Sequence, residues 1–311
     1  MSHVPHYEQQ YLDLMRHIWT RGDERVDRTG VGTRSVFGPS LRFSIADEAV
    51  PLLTTKRVYW KAAAREMLWF LSGDTNIRPL VEQGVHIWTD WPLEAYRKAT
   101  GEAIDMAAFE QRIIDEPGFA ERWGDLGPVY GAQWTDWPLY EPASEGGLFR
   151  RAAKGHNQIA ELVENIRANP GSRRLLFTGW NVAELGGMAL PPCHMTYQFH
   201  VAEGRLSGLL FQRSCDLGLG FPFNIFGLTM LTRMLAQQCD LDVGEVIWHG
   251  GDTHLYLNHK DMVEEQLSRA PSGHPRLRIT RRPDSIFDYR IEDFEVLDYA
   301  PQAHISAPVA V

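Results

Sequence analysis

Residues 195–201 (MTYQFHV) and 205–213 (RLSGLLFQR) alternate apolar and polar side chains on either side of Glu203–Gly204. A period of two on both sides of a turn-prone pair predicts a β-hairpin with one buried face. A long apolar run, 222–239, follows and reads as a helix. Short strands are expected from there to the end. RLLFTGW (174–180) reads as a further strand, and Leu41, Phe43 and Ile45 alternate with polar neighbours as in a half-buried one. Helical spacing covers 7–21, through Tyr7, Tyr11, Leu14, Met15 and Ile18, with Gly22 as the stop. Two more helices are predicted at 60–72 and at 157–169, the second with a stripe of Ile159, Leu162, Val163 and Ile166 that ends at Pro170–Gly171. Helices and strands intermix without strict βαβ alternation. The expected class is α+β, one domain over 1–311 with a large mixed β-sheet flanked by helices.

Composition narrows the function. The chain has 311 residues, 44% hydrophobic and 23% charged, which is ordinary for a globular protein and argues against disorder or fibre. Forty acidic against 31 basic residues give a formal charge of −9, which disfavours general affinity for nucleic acid or anionic membrane. A small anionic ligand stays possible, because local arginines matter more there than net charge. Cys193, Cys215 and Cys239 are too few and too unevenly spaced for a disulfide framework, and neither a CxxC pair nor a zinc spacing is present. The opening MSHVPHYEQQ lacks a basic stretch followed by an apolar run, and no segment approaches ~18 uninterrupted apolar residues. A reduced, soluble, cytoplasmic protein is expected. There is no internal repeat, low-complexity tract or linker.

Residues 92–123 are rich in Ala, Glu and Arg, with Phe109 and Ile113 as weak helical anchors, and read as a small helical insertion on the surface. Trp88, Trp91, Trp123, Trp134 and Trp137 cluster around it. They can be core filler, the ordinary use of tryptophan, or an aromatic wall for a flat ligand. The tail HISAPVAV is apolar to its last residue, unusual for a solvated end, and is expected to dock.

Cys193 follows a proline pair in LPPCHM. A lone cysteine is ordinarily a small buried hydrophobe, whereas two prolines fixing the chain before it point to a positioned thiol. Reactivity needs a thiolate and hence nearby positive charge, for which Arg213, on the partner strand of the hairpin, is the candidate. His194 is adjacent in sequence, so its side chain should point to the opposite face and not pair with the thiol. Glu66 has Ala62, Ala63, Trp69 and Phe70 as its helical neighbours. A carboxyl so surrounded is either a hydrogen-bonded structural group or a general acid–base with a raised pKa. Arg28, Arg173, Arg174 and Arg213 could make an oxyanion site. The loop at 27–33 is not a Walker motif and nothing matches GxGxxG, which disfavours nucleoside triphosphates and dinucleotides.

PPCHM together with QRSCDLGLGFPFN resembles the thymidylate synthase family. DRTGVGT, TTKR, E-x-LWFLSGDTNI, GDLGPVYGAQW, SRRLLF, GGDTHLYLNH and a terminal PVAV, in that order, extend the resemblance nearly end to end. The resemblance implies a methyltransferase that converts dUMP to dTMP, taking carbon and hydride from 5,10-methylenetetrahydrofolate and releasing dihydrofolate, without a metal. Cys193 would attack C6 of the uracil, and Arg213 would lower the thiol pKa and bind the phosphate. Arg28 and Ser214 would complete the phosphate site. Arg173 and Arg174 would reach into the other subunit's site, making a homodimer whose sheet faces pack together. Asn224 would read the base, and a mismatched buried polar group there would cost ~1–3 kcal/mol. Asp216 would join this nucleotide site, and His254 and Tyr256 would hold the 3′-hydroxyl. Glu66 would organise proton transfers and Tyr130 would assist removal of the C5 proton. Lys56, Ile87, Trp88, Asp216, Leu219, Gly220, Phe223 and Ala310 would line the folate site, Lys56 at its glutamate tail.

The main departure from the family's pattern is the 92–123 segment, which some members carry; Tyr59 and Thr89 are local departures near the folate. Three other readings compete. A hydroxymethylase would quench the methylene intermediate with water, which Trp88 and the apolar tail should exclude. An RNA-binding regulator fits poorly with a charge of −9. A dead homologue would be expected to lack Cys193, Glu66 or Asn224, and all three are present.

Overall fold

Glu203 and Gly204 both take positive φ, 51° and 72°, the backbone a two-residue hairpin turn requires. They join the two strands predicted on either side of them. The structure, a computed structural model, describes residues 6–26, 30–143 and 147–309. Among these the strands are β1 (Asp23–Arg25), β2 (Thr33–Phe37), β3 (Ser40–Ser44), β4 (Tyr140–Pro142), β5 (Phe149–Arg151), β6 (Leu176–Thr178), β7 (His194–Ala202), β8 (Arg205–Asp216), β9 (Asp242–Tyr256), β10 (Arg276–Ile279) and β11 (Phe294–Leu297). The helices are α1 (Gln9–Arg21), α2 (Trp60–Ser72), α3 (Arg78–Val81), α4 (Asp90–Thr100), α5 (Met106–Asp115), α6 (Pro117–Trp123), α7 (Tyr130–Thr135), α8 (Gln158–Ala168), α9 (Gly220–Gln238) and α10 (Lys260–Ser268).

Seven strands form one mixed sheet in the order β1-β2-β9-β8-β7-β6, with β3 also paired to β9. β7 and β8 are antiparallel, whereas β9 returns parallel to β8 after the α9 crossover. The expectation of short strands after 239 is corrected here. β9 runs for 15 residues and α10 follows it. Gly250 and Gly251 lie within β9, and a Cβ at Gly251 would lie 2.5 Å from the Arg213 carbonyl, so the glycine serves a close strand approach. RLLFTGW supplies only the three residues of β6.

α9 is apolar on nearly every side and is buried accordingly, with Phe221, Ile225, Phe226, Leu228, Met230, Leu231 and Leu235 fully enclosed. It lies between α2 and the sheet face that carries Leu206, Leu210, Val246 and Trp248. The opposite face is different. Leu176, Gln198, Leu209 and Ile247 stand in register across β6, β7, β8 and β9. Leu176 in that row and Phe211 in the next are 43% and 38% exposed among the described residues.

The 92–123 segment forms most of α4 together with α5 and α6. Phe109 and Ile113 are not weak anchors but fully buried, and Tyr96, Phe109, Phe119 and Trp123 pack ring against ring at 5.0–5.7 Å. Trp134 is core filler with no exposure. The tail docks through buried Ile305 and through Pro308, whose carbonyl accepts from His259 Nε2 at 2.8 Å, while Val309 is exposed. Among the described residues no helix is long and apolar enough to cross a membrane, and no group of three or more His, Cys, Asp or Glu is placed to hold a metal ion.

Candidate active site

Pro191 and Pro192 deliver Cys193 to the start of β7, half-buried. The hairpin pairing continues past the strand end, so that the Arg213 N–H donates to the Cys193 carbonyl at 2.9 Å. That pairing places the Arg213 side chain beside the thiol. Nη2 lies 3.8 Å from Sγ and donates to Pro191 O at 2.7 Å, and Nε donates to Pro192 O at 3.0 Å. A guanidinium held this way puts positive charge against the sulfur and favours its thiolate form. Ser214 follows on β8.

His194 goes elsewhere, as its neighbouring position on the strand predicted. Its Nδ1 pairs with the Tyr197 hydroxyl at 3.0 Å, and burial lowers its pKa to about 4, so it is neutral at pH 7.

Two further groups come from the helical side, Tyr130 bonded to Cys193 and Glu66 near Tyr130. Tyr130 begins α7 and stacks on Phe70 at 4.5 Å, and its hydroxyl accepts from the Cys193 backbone N–H at 2.8 Å. Burial, with Cys193 and Glu66 nearby, holds that phenol well above its ordinary pKa. Glu66 sits mid-α2 and accepts from the Trp88 indole N–H at 2.8 Å. Burial raises its pKa to about 7, and the indole bond offsets part of that rise. The carboxyl can therefore hold or release a proton near neutrality.

The raised pKa has a sign that can be checked. Folded Glu66 binds its proton more tightly than the unfolded chain, so its contribution to stability is complete at pH values below about 4.5 and is lost as pH rises through about 7. Glu66→Gln, a neutral isostere that still accepts from Trp88, is expected to match the parent near pH 4.5 and to exceed it by about 2–3 kcal/mol at pH 8. Urea unfolding at the two pH values measures the difference, and equal gaps would contradict the assignment.

Asn224, just past the first turn of α9, contacts His194, and its Oδ1 accepts from Gln212 Nε2 at 2.9 Å. Gln212 in turn accepts from the Trp248 indole at 2.9 Å. An indole N–H can only donate, so the relay orients both amides. Sequence reading missed Gln212, an uncharged residue inside the quoted 212–224 motif. Asp216 accepts from the Gly218 and Leu219 N–H groups at 2.8 and 3.1 Å, shaping the loop that brings Leu219, Gly220 and Phe223 to the start of α9. His254 and Tyr256 end β9, with His254 Nδ1 on Asp252 Oδ1 at 3.0 Å and the two rings 5.3 Å apart.

Other expected residues are placed differently. Lys56 is buried, donates to the Gly218 carbonyl, and has its pKa lowered to about 8 by that burial. Meeting a glutamate tail requires the buried ammonium to become accessible, with its remaining N–H donors free to bond. Arg173 and Arg174 are exposed just before β6 and form no ion pair among the described residues. Ile87 is exposed beside buried Trp88. Arg28 and Ala310 lie outside the described residues.

A family model described as Thymidylate synthase matches residues 9–311. The chain belongs to the thymidylate synthase family. It is 72% identical over 312 residues to a thymidylate synthase of Sphingopyxis alaskensis, covering 100% of both chains. It is 68% identical over 306 residues to one of Novosphingobium aromaticivorans (98% of this chain, 97% of that one) and 67% identical to one of Rhizorhabdus wittichii (98% and 99%). Thymidylate synthases are methyltransferases that convert dUMP to dTMP with 5,10-methylenetetrahydrofolate as co-substrate, and the family match and the full-length identity assign that reaction to this chain.

Proposed function

We propose that the residues gathered at Cys193 divide the synthase reaction among themselves as follows. The Cys193 thiolate adds to C6 of the uracil ring, which makes C5 a carbon nucleophile toward the folate methylene. Asn224, its amide already oriented by Gln212 and Trp248, hydrogen-bonds the pyrimidine edge and selects uracil. Glu66 supplies and takes protons through water at O4 and at the folate. Tyr130 assists loss of the C5 proton, whose electrons expel tetrahydrofolate from the bridging carbon and leave an exocyclic methylene on C5. Hydride transfer from tetrahydrofolate to the exocyclic methylene then lets the Cys193–C6 bond break, releasing dTMP and dihydrofolate.

Arg213 and Ser214, with Arg28, bind the phosphate, while His254 and Tyr256 hold the deoxyribose hydroxyl. Ile87, Trp88, Asp216, Leu219, Gly220, Phe223 and Ala310 line the folate site, with Lys56 at the glutamate tail. The observation that carries this division is the 3.8 Å approach of Arg213 Nη2 to Cys193 Sγ, with Tyr130 bonded to the same residue.

The enzyme works as a homodimer in the cytoplasm. The uncovered apolar row through Leu176, Leu209 and Ile247 is the face that a second copy covers. Arg173 and Arg174 then complete the phosphate site of the partner.

The test is product analysis after incubation with dUMP and methylenetetrahydrofolate. Equal amounts of dTMP and dihydrofolate are expected. Hydroxymethyl-dUMP with tetrahydrofolate would overturn the hydride step, and dTMP without dihydrofolate would overturn the folate's role as reductant.

A further inference from the structure

His86, Ile87, Trp88 and Thr89 form a single turn, closed by the Thr89 N–H donating to the His86 carbonyl at 3.1 Å. Its two central residues are those assigned to the folate face. Its two corner side chains converge on one carboxylate. Glu110, on α5, accepts from the Thr89 hydroxyl at 2.5 Å and meets His86 Nδ1 at 2.8 and 2.9 Å.

Three features mark this as more than a surface contact. Glu110 is only 8% exposed and Thr89 is completely buried. Thr89 is also the N-cap of α4, yet its side chain caps nothing there. The hydroxyl that would ordinarily satisfy a first-turn N–H is spent on Glu110 instead. The turn is also tied to the catalytic side, because Trp88 donates to Glu66 and packs on Trp91 and Tyr130 at 5.3 and 5.7 Å.

We propose that Glu110 is a positioning residue for the folate substrate: it grips both corners of the 86–89 turn and so fixes where Ile87 and Trp88 stand relative to Glu66. This gives the 92–123 segment a task in the reaction, delivered through α5. It also joins the departure at Thr89 to that segment, because the hydroxyl's partner comes from it. The inference rests on the folate assignment of Ile87 and Trp88.

The charged and titratable groups facing the clamp are His86, Asp90 and, through Asp90, Arg97, and those facing Glu66 are Tyr130 and Tyr197. None of these contacts dUMP in the reading above except Tyr130. Loss of the clamp should therefore be felt by one substrate and not by the other.

The experiment measures KM for methylenetetrahydrofolate and for dUMP separately in Glu110→Ala, Glu110→Gln, Thr89→Val and Ile87→Ala, with thermal unfolding of each. Glu110→Ala is expected to raise the folate KM roughly tenfold, a misplacement effect, with dUMP KM within about twofold. Glu110→Gln keeps an acceptor for Thr89 and should recover part of the loss. Thr89→Val should raise the folate KM by itself, by less than Glu110→Ala does, and the double variant Glu110→Ala/Thr89→Val should differ little from Glu110→Ala, because the Thr89 bond is already lost there.

Unchanged folate KM in folded Glu110→Ala, with Ile87→Ala raising it, would overturn the clamp and leave the folate site standing. No effect of Ile87→Ala would overturn the folate assignment instead. Should Glu110→Ala fail to fold, the Thr89→Val split decides alone. Equal rises in both KM values in step with lost stability would make Glu110 a scaffold residue and overturn the proposal.

Discussion

Cys193→Ser is expected to lower turnover by at least about 10⁴-fold, the scale on which removal of a covalent nucleophile acts, while the protein stays folded. The two halves of that result have separate physical causes. The Cys193 side chain lies half-buried with Arg213 Nη2 at 3.8 Å, so exchanging sulfur for oxygen removes little packing. The bonds that hold the residue in place are made by its backbone, through the N–H to Tyr130 and the carbonyl to Arg213, and both survive the change. The nucleophile does not survive. An alcohol beside a guanidinium remains an alcohol near neutral pH, and no base takes its place, since buried His194 is committed to Tyr197. Stopped activity with unchanged dUMP binding and a melting temperature close to the parent's is the expected set. Near-normal turnover would remove Cys193 from the mechanism.

What the sequence disclosed followed from periodicity and from local chemistry. The α2 limits of 60–72 were readable because Ala63, Ala64, Met67, Phe70 and Leu71 repeat at helical spacing and all are buried. The hairpin was readable because Glu203–Gly204 is a strong turn signal between two period-two runs. β9 was not, for a physical reason. Paired on both sides and carrying Gly250, Gly251, Asp252 and His254 for close approach and for the site, it lacks the alternation that marks a half-buried strand. Glu66 announced itself as a carboxyl among apolar neighbours, and its pKa is raised to about 7. Gln212 and Glu110 announced nothing, because their importance lies in partners 36 and 21 residues away, Trp248 and Thr89. Lys56 shows the converse, in that a motif gave its name but not the burial that turns its ammonium toward Gly218.

The last expected result concerns Arg173, one of the two exposed arginines just before β6. Arg173→Glu puts a negative charge where a phosphate dianion should bind, and the homodimer is expected to lose roughly two to three orders of magnitude in kcat/KM, the scale of a broken buried charge pair. The loss by itself does not say whose site has been damaged. Mixing does. In a hybrid of Arg173→Glu with Cys193→Ser, one site combines an intact Cys193 from the first chain with an intact Arg173 from the second. The other site carries both lesions. After verified subunit exchange at equal amounts, half of the dimers are hybrids with one working site of two, so two nearly inactive preparations should recover about a quarter of the parental activity. Recovery on that scale requires that Arg173 act across the interface, which fits its exposed place beside the uncovered face of Leu176 and Phe211. An Arg173 that served its own subunit would leave the hybrid with one chain lacking the nucleophile and one lacking the phosphate ligand, and mixing would restore nothing.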